Sequence, residues 1–358
     1  MSTPWAQNLP ADVPSDLEWG DDSLPGIRRR RAGKGFTYLT DTGGRLTDEH
    51  TLRRIKALAI PPAWTDVWIC PDATGHLQAT GRDAKGRKQY RYHPQYRAHR
   101  DSAKFERLYE FGASLPAIRK QVAHDIGRRG MPKEKVVGTV IRLLESTLVR
   151  VGNPEYARDN GSFGLTTLRD QHAKFTPNTL RLAFKGKHGI AAEVAVKDAR
   201  LRRIVKQCQD LPGQVLFQYV GDDGAPHPIT STDVNEYLRE VTGLTVTAKD
   251  FRTWMGTLLA TSAFAALPAP RSEADARRSI VRVCEAVSTH LGNTPAVCRA
   301  SYVHPDVMEW YRDGSLAERW RATSSRGSAR LVAEERKLLA LLRPHRASSR
   351  RVPARVAA

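Results

Sequence analysis

The sequence predicts an α+β protein: a β-rich N-terminal domain, then a mostly α-helical domain carrying a small β-hairpin sheet. Three observations predict it. Short apolar runs separated by turn residues fill the first hundred or so positions. Apolar stripes at helical spacing dominate from Ser102 onward. Two strand-like segments at 180–196 bracket a glycine-containing turn. With 358 residues, 40% of them hydrophobic, the chain can build two cores.

Residues 1–26 are acidic (Asp12, Asp16, Glu18, Asp21, Asp22), carry Pro4, Pro10, Pro14 and Pro25, and lack periodicity, so they read as a loose leader. The β-rich domain is placed at 27–101. It opens with Arg28–Arg31, then Gly33-Lys34-Gly35 and a strand-like Phe36–Leu39. Thr47 reads as the N-cap of a helix with Asp48 and Glu49 in its first turn and Leu52, Ile55 and Leu58 on one face. Pro61-Pro62 stops it. Strands follow at Val67–Cys70, His76–Thr80 and Gln89–Tyr92.

The helical domain is placed at 102–343. After Pro132, the stripe Val137, Val140, Ile141, Leu144, Leu148 predicts a helix. Leu180–Lys185 and Ile190–Val196 predict a hairpin turning at Gly186–Gly189. Phe251, Met255, Leu258 and Leu259 mark one later helix, and Ile280, Val283, Cys284 and Val287 another. The second has Ser272 and Asp275 at capping positions and Gly292 past its end. Thr294-Pro295 restarts a helix before Pro305. Residues 344–358 read as a basic, flexible tail. There is no internal repeat.

Lys and Arg number 57 against 38 Asp and Glu, a formal charge of +19. That excess favours a polyanionic partner, nucleic acid first and an anionic membrane surface second. No apolar run approaches the ~18 residues a spanning helix needs, and the acidic start is the reverse of a signal peptide. Cys70, Cys208, Cys284 and Cys298 form no CxxC pair, so they read as reduced thiols of a cytoplasmic protein rather than disulfides or a zinc site. Phosphate-loop, dinucleotide and H-E-x-x-H motifs are missing. The expectation is no cofactor and no metal.

Phosphodiester chemistry without a metal needs a nucleophile, cations on the non-bridging oxygens, and a proton for the leaving oxygen. Arg suits the second task, being always charged and bidentate toward phosphate. The candidates are Arg150, Lys187, Arg252, Asn293 and Tyr302. Singly, each has an ordinary reading: a helix-dipole charge, a hairpin surface lysine beside Lys185 and His188, a helix N-terminal arginine, a helix cap and a packed tyrosine.

Five segments together resemble type IB DNA topoisomerases. Leu291-Gly-Asn-Thr-Pro-Ala-Val-Cys-Arg-Ala-Ser-Tyr302 is similar to the nucleophile segment that this family shares with tyrosine recombinases. Thr247-Ala-Lys-Asp-Phe-Arg252-Thr resembles the segment of the second catalytic arginine, in the K-x-x-R form that distinguishes topoisomerases from H-x-x-R recombinases. Arg150-Val-Gly-Asn-Pro-Glu-Tyr156 resembles the poxvirus-type segment with the first arginine and a phosphate-contacting tyrosine. Phe184-Lys-Gly-Lys187 resembles the hairpin turn of the general acid, and Arg87-Lys-Gln-Tyr-Arg-Tyr92 the major-groove-reading segment. On these segments the chain is identified as a small, poxvirus-like bacterial type IB topoisomerase.

The resemblance implies Tyr302 as nucleophile, Arg150 and Arg252 on the phosphate, Lys187 as general acid and Asn293 as a further donor. It implies DNA contacts from Gln89, Tyr90, Tyr92, Tyr156 and Lys249. The implied fold is a C-shaped clamp closing as a monomer on double-stranded DNA. The implied reaction relaxes positive and negative supercoils through a 3′-phosphotyrosyl intermediate without ATP or metal, in the cytoplasm on the nucleoid. Two departures stand out: Asn293 where many members have His, and His188 where several have Asp. A site-specific tyrosine recombinase and a non-catalytic basic DNA binder stay open as alternatives.

Overall fold

A computed structural model describes residues 14 and 16–343 of the chain, apart from the side chains of Asp101 and His188. It divides into two compact units after Glu106. The 101/102 boundary expected from sequence falls inside a helix that belongs to the first unit. The 344–358 tail and residues 1–13 and 15 of the leader lie outside the described residues.

The first unit contains β1 (Ile27–Ala32), β2 (Gly35–Leu39), α1 (Glu49–Ala57), β3 (Thr65–Ile69), β4 (Leu77–Arg82), β5 (Lys88–Tyr92) and α2 (Pro94–Glu106). Its strands form one antiparallel sheet in the order β2-β1-β3-β4-β5. Alternation along β3 explains the packing. Val67 and Ile69 join Ile27, Ile55 and Ala79 in one core, while Trp68 and Cys70 pack with Leu77 in another. The cap of α1 is Asp48, not Thr47: the Asp48 carboxylate accepts the Thr51 N–H at 2.7 Å.

Residues 16–26 correct the reading of a loose leader. Leu17 is buried, Trp19 stacks on His76 with ring centres 3.8 Å apart, and the Trp68 indole donates to the Leu24 carbonyl at 2.9 Å. A Cβ on Gly26 would stand 2.1 Å from Trp68 Nε1, so glycine is needed for that approach. The acidic character has a local partner as well, since Asp22 pairs with Lys88 at 2.7 Å. Proline content and low periodicity hid a segment held by single aromatic contacts.

The second unit contains α3 (Leu108–Asp125), α4 (Lys133–Thr147), α5 (Pro154–Asn160), β6 (Ala173–Phe175), β7 (Leu180–Lys185), β8 (Ala191–Val196), α6 (Ala199–Gln209), β9 (Gln218–Val220), β10 (Pro226–Pro228) and α7 (Ser231–Thr242). It continues with α8 (Ala248–Ala265), α9 (Glu273–Leu291), α10 (Pro295–Ser301), α11 (Pro305–Arg312), α12 (Leu316–Ala322) and α13 (Ala333–Leu341). Strands β6-β7-β8 form an antiparallel sheet, and β9 and β10 a short hairpin. Helix α8 is the hub, packing on α3, α9, α11, α12 and α13. Gly112 of α3 meets Trp254 of α8 where a Cβ would fall 2.3 Å from the indole. From α8 outward, Ala260, Phe264, Ile280, Val283, Val287, Val303 and Val307 fill a continuous core.

Candidate active site

Helix α4 ends on Leu148, a non-glycine residue at φ 55°. The left-handed turn redirects the chain and delivers Arg150. The Arg150 carbonyl then accepts the Leu165 N–H at 2.9 Å. A Cβ on Gly164 would stand 2.6 Å from that carbonyl oxygen, so the loop closes only around glycine. The Arg150 guanidinium donates to the Gly292 carbonyl at 3.1 Å.

Arg252 lies in the second turn of α8, behind a reciprocal cap in which the Thr247 N–H donates to Asp250 at 2.7 Å. It is 3% exposed, which removes the reading of a surface arginine. Its guanidinium donates to the carbonyls of Leu148 and Leu291, its Nε has no protein partner, and its centre lies 5.2 Å from the Tyr302 ring centre. The two arginines thus gather the C-terminal ends of α4 and α9, where unpaired carbonyls favour cations.

Asn293 follows immediately. Thr294 caps α10, its hydroxyl accepting the Val297 N–H at 3.3 Å, so capping does not occupy Asn293. The Asn293 Oδ1 and Nδ2 are buried without any partner. A buried amide left unpaired is costly and marks a place for a polar ligand. Tyr302 ends α10, its N–H donating to the Cys298 carbonyl at 2.9 Å, with its side chain half-buried. Burial by itself would raise the phenol pKa. Arg252, with Arg150 and Lys249, outweighs it and holds Tyr302 below its ordinary 10.0.

Lys187 occupies the β7–β8 turn, closed by the Gly186 N–H to the Ile190 carbonyl at 2.8 Å and by Gly189 at φ 76°. Its side chain reaches solvent, yet partial desolvation, then Arg150, Lys249 and Arg252, lower its pKa from the usual 10.5. Lys249 is exposed in the first turn of α8. Tyr156 is 48% exposed on α5, which Asn153 caps. Arg150, Lys249 and Arg252 therefore act electrostatically on both Tyr302 and Lys187, a basic cluster around one phenol. The side chain of His188 lies outside the described residues.

In the first unit, Tyr90 and Tyr92 are 46% and 39% exposed and stack at 5.9 Å, their planes 7° apart. Gln89 points to the opposite face of β5 by strand alternation, and its amide donates to Asp83 at 3.0 Å. The Arg28–Arg31 run is likewise not one surface. Arg29 turns inward, donating to the carbonyls of Ile60, Pro61 and Trp64 and lying 4.1 Å over Phe36, while Arg28, Arg30 and Arg31 are exposed.

Two residues beside Tyr302 escaped sequence reading. Gly256 and Thr257, on α8, touch the Tyr302 main chain. A glycine inside a helix one turn after Arg252 was the available signal. Among the described residues, no group of three or more His, Cys, Asp or Glu side chains is arranged to hold a metal, and no helix is long and apolar enough to cross a membrane.

Comparison with known proteins adds to this geometry. A family described as eukaryotic DNA topoisomerase I, catalytic core, matches residues 93–325. One described as bacterial DNA topoisomerase IB, N-terminal domain, matches residues 35–83. DNA topoisomerase 1B of Acanthamoeba polyphaga mimivirus is 32% identical over 297 residues, 81% of this chain and 88% of the viral protein. DNA topoisomerase 1B of Vaccinia virus (strain Copenhagen) is 22% identical over 303 residues, 80% of this chain and 90% of that protein. A structure of the XerH site-specific recombinase bound to palindromic difH substrate is 15% identical with a TM-score of 0.35, covering 57% of this chain and 52% of that one.

Proposed function

The chain belongs to the type IB DNA topoisomerase family, and we propose how its own residues cut, release and reseal one DNA strand. The protein is an isomerase that changes DNA topology. Its substrate in this reading is duplex DNA, bound by a monomer through exposed basic and aromatic residues of both units. Tyr90, Tyr92, Tyr156 and Lys249 contact the duplex, and Gln89 joins them only by exchanging its bond to Asp83. The reaction takes place in the cytoplasm, on the nucleoid, where four free, buried cysteines suit a reducing setting.

The observation that carries this reading is the Arg252 guanidinium beside the Tyr302 ring, with Arg150 joined to the same helix end. The Tyr302 Oη attacks a backbone phosphorus as its proton departs, and the phosphorus–O5′ bond breaks. Cations already held around the phenol favour the phenolate, which a free tyrosine scarcely provides at neutral pH. Arg150 and Arg252 hold the charge developing on the non-bridging oxygens, and the unpaired Asn293 amide donates one further hydrogen bond. Lys187 gives its proton to the leaving 5′-oxygen. A lowered pKa makes that lysine the better acid. The product is a 3′-phosphotyrosyl bond and a 5′-hydroxyl strand. Rotation of the freed duplex relaxes supercoils of either sign, and reverse attack reseals the strand without ATP, because the ester energy is kept in the covalent link.

Relaxation of positively and negatively supercoiled plasmid, with EDTA present and ATP absent, tests the proposal beside a Tyr302→Phe control. Relaxation of both signs, lost in the variant, is expected. A covalent adduct without relaxation would replace the reading with a recombinase. Salt-reversible binding with neither activity would leave a DNA-binding protein.

A further inference from the structure

Helix α8 carries more than Arg252. One turn on, the same face presents Gly256, and next to it Thr257 is fully buried. The Thr257 hydroxyl donates to the Tyr302 carbonyl at 3.1 Å and accepts the His304 N–H at 3.1 Å. One hydroxyl thus closes the turn Tyr302–Val303–His304 onto the helix that presents Arg252. Val303, fully buried, anchors the middle of that turn.

Gly256 sets how near the turn can come. A Cβ there would stand 2.7 Å from the Tyr302 carbonyl oxygen and 3.0 Å from the Tyr302 Cβ. Glycine inside a helix is unfavourable relative to alanine, so a close approach accounts for it. Thr257 is also unlike an ordinary helix threonine, which bonds back to its own helix. Its neighbour Thr261 does so, donating to the Thr257 carbonyl at 2.7 Å. Thr257 instead reaches across to the segment on which Tyr302 sits.

We propose that Thr257, together with Gly256, is a positioning residue for strand cleavage, holding the Tyr302 main chain at the separation from Arg252 that attack on phosphorus requires. The inference rests on Tyr302 being the nucleophile. Its effect is on the chemical step and not on DNA binding, because neither residue is exposed to a ligand. Displacing a reacting group by about 1 Å can cost about 100-fold in rate.

The test is single-turnover cleavage of a suicide duplex at saturating protein, for Thr257→Val, Thr257→Ser, Thr261→Val and Tyr302→Phe. Thr257→Val should slow covalent capture about 10- to 100-fold with DNA affinity unchanged, and Thr257→Ser should restore it. In the pH–rate profile of Thr257→Val, the alkaline-rising limb should move to higher pH, since the phenol sits less well against Arg252. The falling limb, governed by Lys187, should stay in place. Thr261→Val, which also gives up a buried hydroxyl on α8, should lose thermal stability and cleave at the wild-type rate.

Wild-type cleavage by Thr257→Val, or equal slowing by Thr261→Val, would overturn the inference. Should Thr257→Val not fold, Thr257→Ala removes the hydroxyl without adding a methyl and carries the same expectation. Tyr302→Phe separates the two levels. Capture surviving in Tyr302→Phe would end the nucleophile reading itself. Capture lost there but intact in Thr257→Val would end only the positioning role.

Discussion

Arg252 holds its guanidinium 5.2 Å from the centre of the Tyr302 ring while donating to two main-chain carbonyls, Leu148 and Leu291, at the ends of two other helices. A buried cation fixed by structural bonds cannot swing away when DNA departs. The phenol therefore meets its counter-charge before substrate arrives, a preorganised arrangement in the sense that lowers a barrier without reorganisation. The same bonds give Arg252 a structural role beside its proposed chemical one, and Arg150, tied by one 3.1 Å bond to Gly292, a lesser structural role.

That difference predicts a split between stability and rate. Arg150→Ala and Arg252→Ala should each slow cleavage about 10²–10³-fold. Arg252→Ala should also destabilise the fold by about 1–3 kcal/mol, because two buried carbonyls lose their donor. Arg150→Ala should melt close to wild type. Thermal melts beside single-turnover cleavage check both, and equal loss of stability in the two variants would contradict the assignment.

The pH dependence follows from signs. With Tyr302 as the proposed nucleophile, attack needs its phenolate, so the rate should rise with pH through a pKa held below 10.0. With Lys187 as the proposed acid, departure needs it protonated, so the rate should fall through a pKa held below 10.5. Lys249 lowers both, and Lys249→Ala should shift the whole bell toward alkaline pH. A profile that stays put or moves toward acid would speak against this electrostatic coupling. Lys187→Ala should regain its rate on a substrate with sulfur at the 5′-bridging position, because a thiolate leaves without an acid.

In the arginine run, one residue should behave unlike its neighbours. Replacing Arg28, Arg30 and Arg31 with alanine should flatten the salt dependence of DNA binding, each lost phosphate contact removing about 0.9 from the slope of log K against log salt. Arg29→Ala should instead lower the melting temperature, since three carbonyls and the Phe36 face lose their cation. An unchanged slope in the triple variant would confine the run to a solvated surface.

Much of this was legible in the sequence, for identifiable reasons. Periodicity gave the stripe from Val137 to Leu148, and residue spacing placed the Lys187 turn between two strands. Segment resemblance singled out Arg150, Arg252 and Tyr302, which composition alone left ordinary. What was not legible depends on single long-range contacts. Residues 16–26 looked loose because the Trp19–His76 stack joins positions far apart in the chain. Arg28–Arg31 looked uniform because alternation matters only once β1 has a partner on each side. Thr257 looked like any helical threonine, and only the fold shows that its hydroxyl crosses to Tyr302.

Tyr90 and Tyr92 could have been core, since both share one face of a strand. They stack on the exposed face of β5 instead. Alanine at both should weaken duplex binding without lowering the melting temperature. A large melting loss would mean that they brace the first unit, where the Tyr96 ring lies 5.4 Å from that of Tyr92, rather than touch DNA.

If the basic cluster serves one phenol, the residue joined to DNA identifies it. Covalent complexes trapped on a nicked suicide duplex, digested and mapped by mass spectrometry, should carry the adduct on Tyr302 alone, linked to the 3′-phosphate of the cleaved strand. An adduct on any other residue, or on a 5′-phosphate, would place the nucleophile elsewhere or reverse the polarity of cleavage.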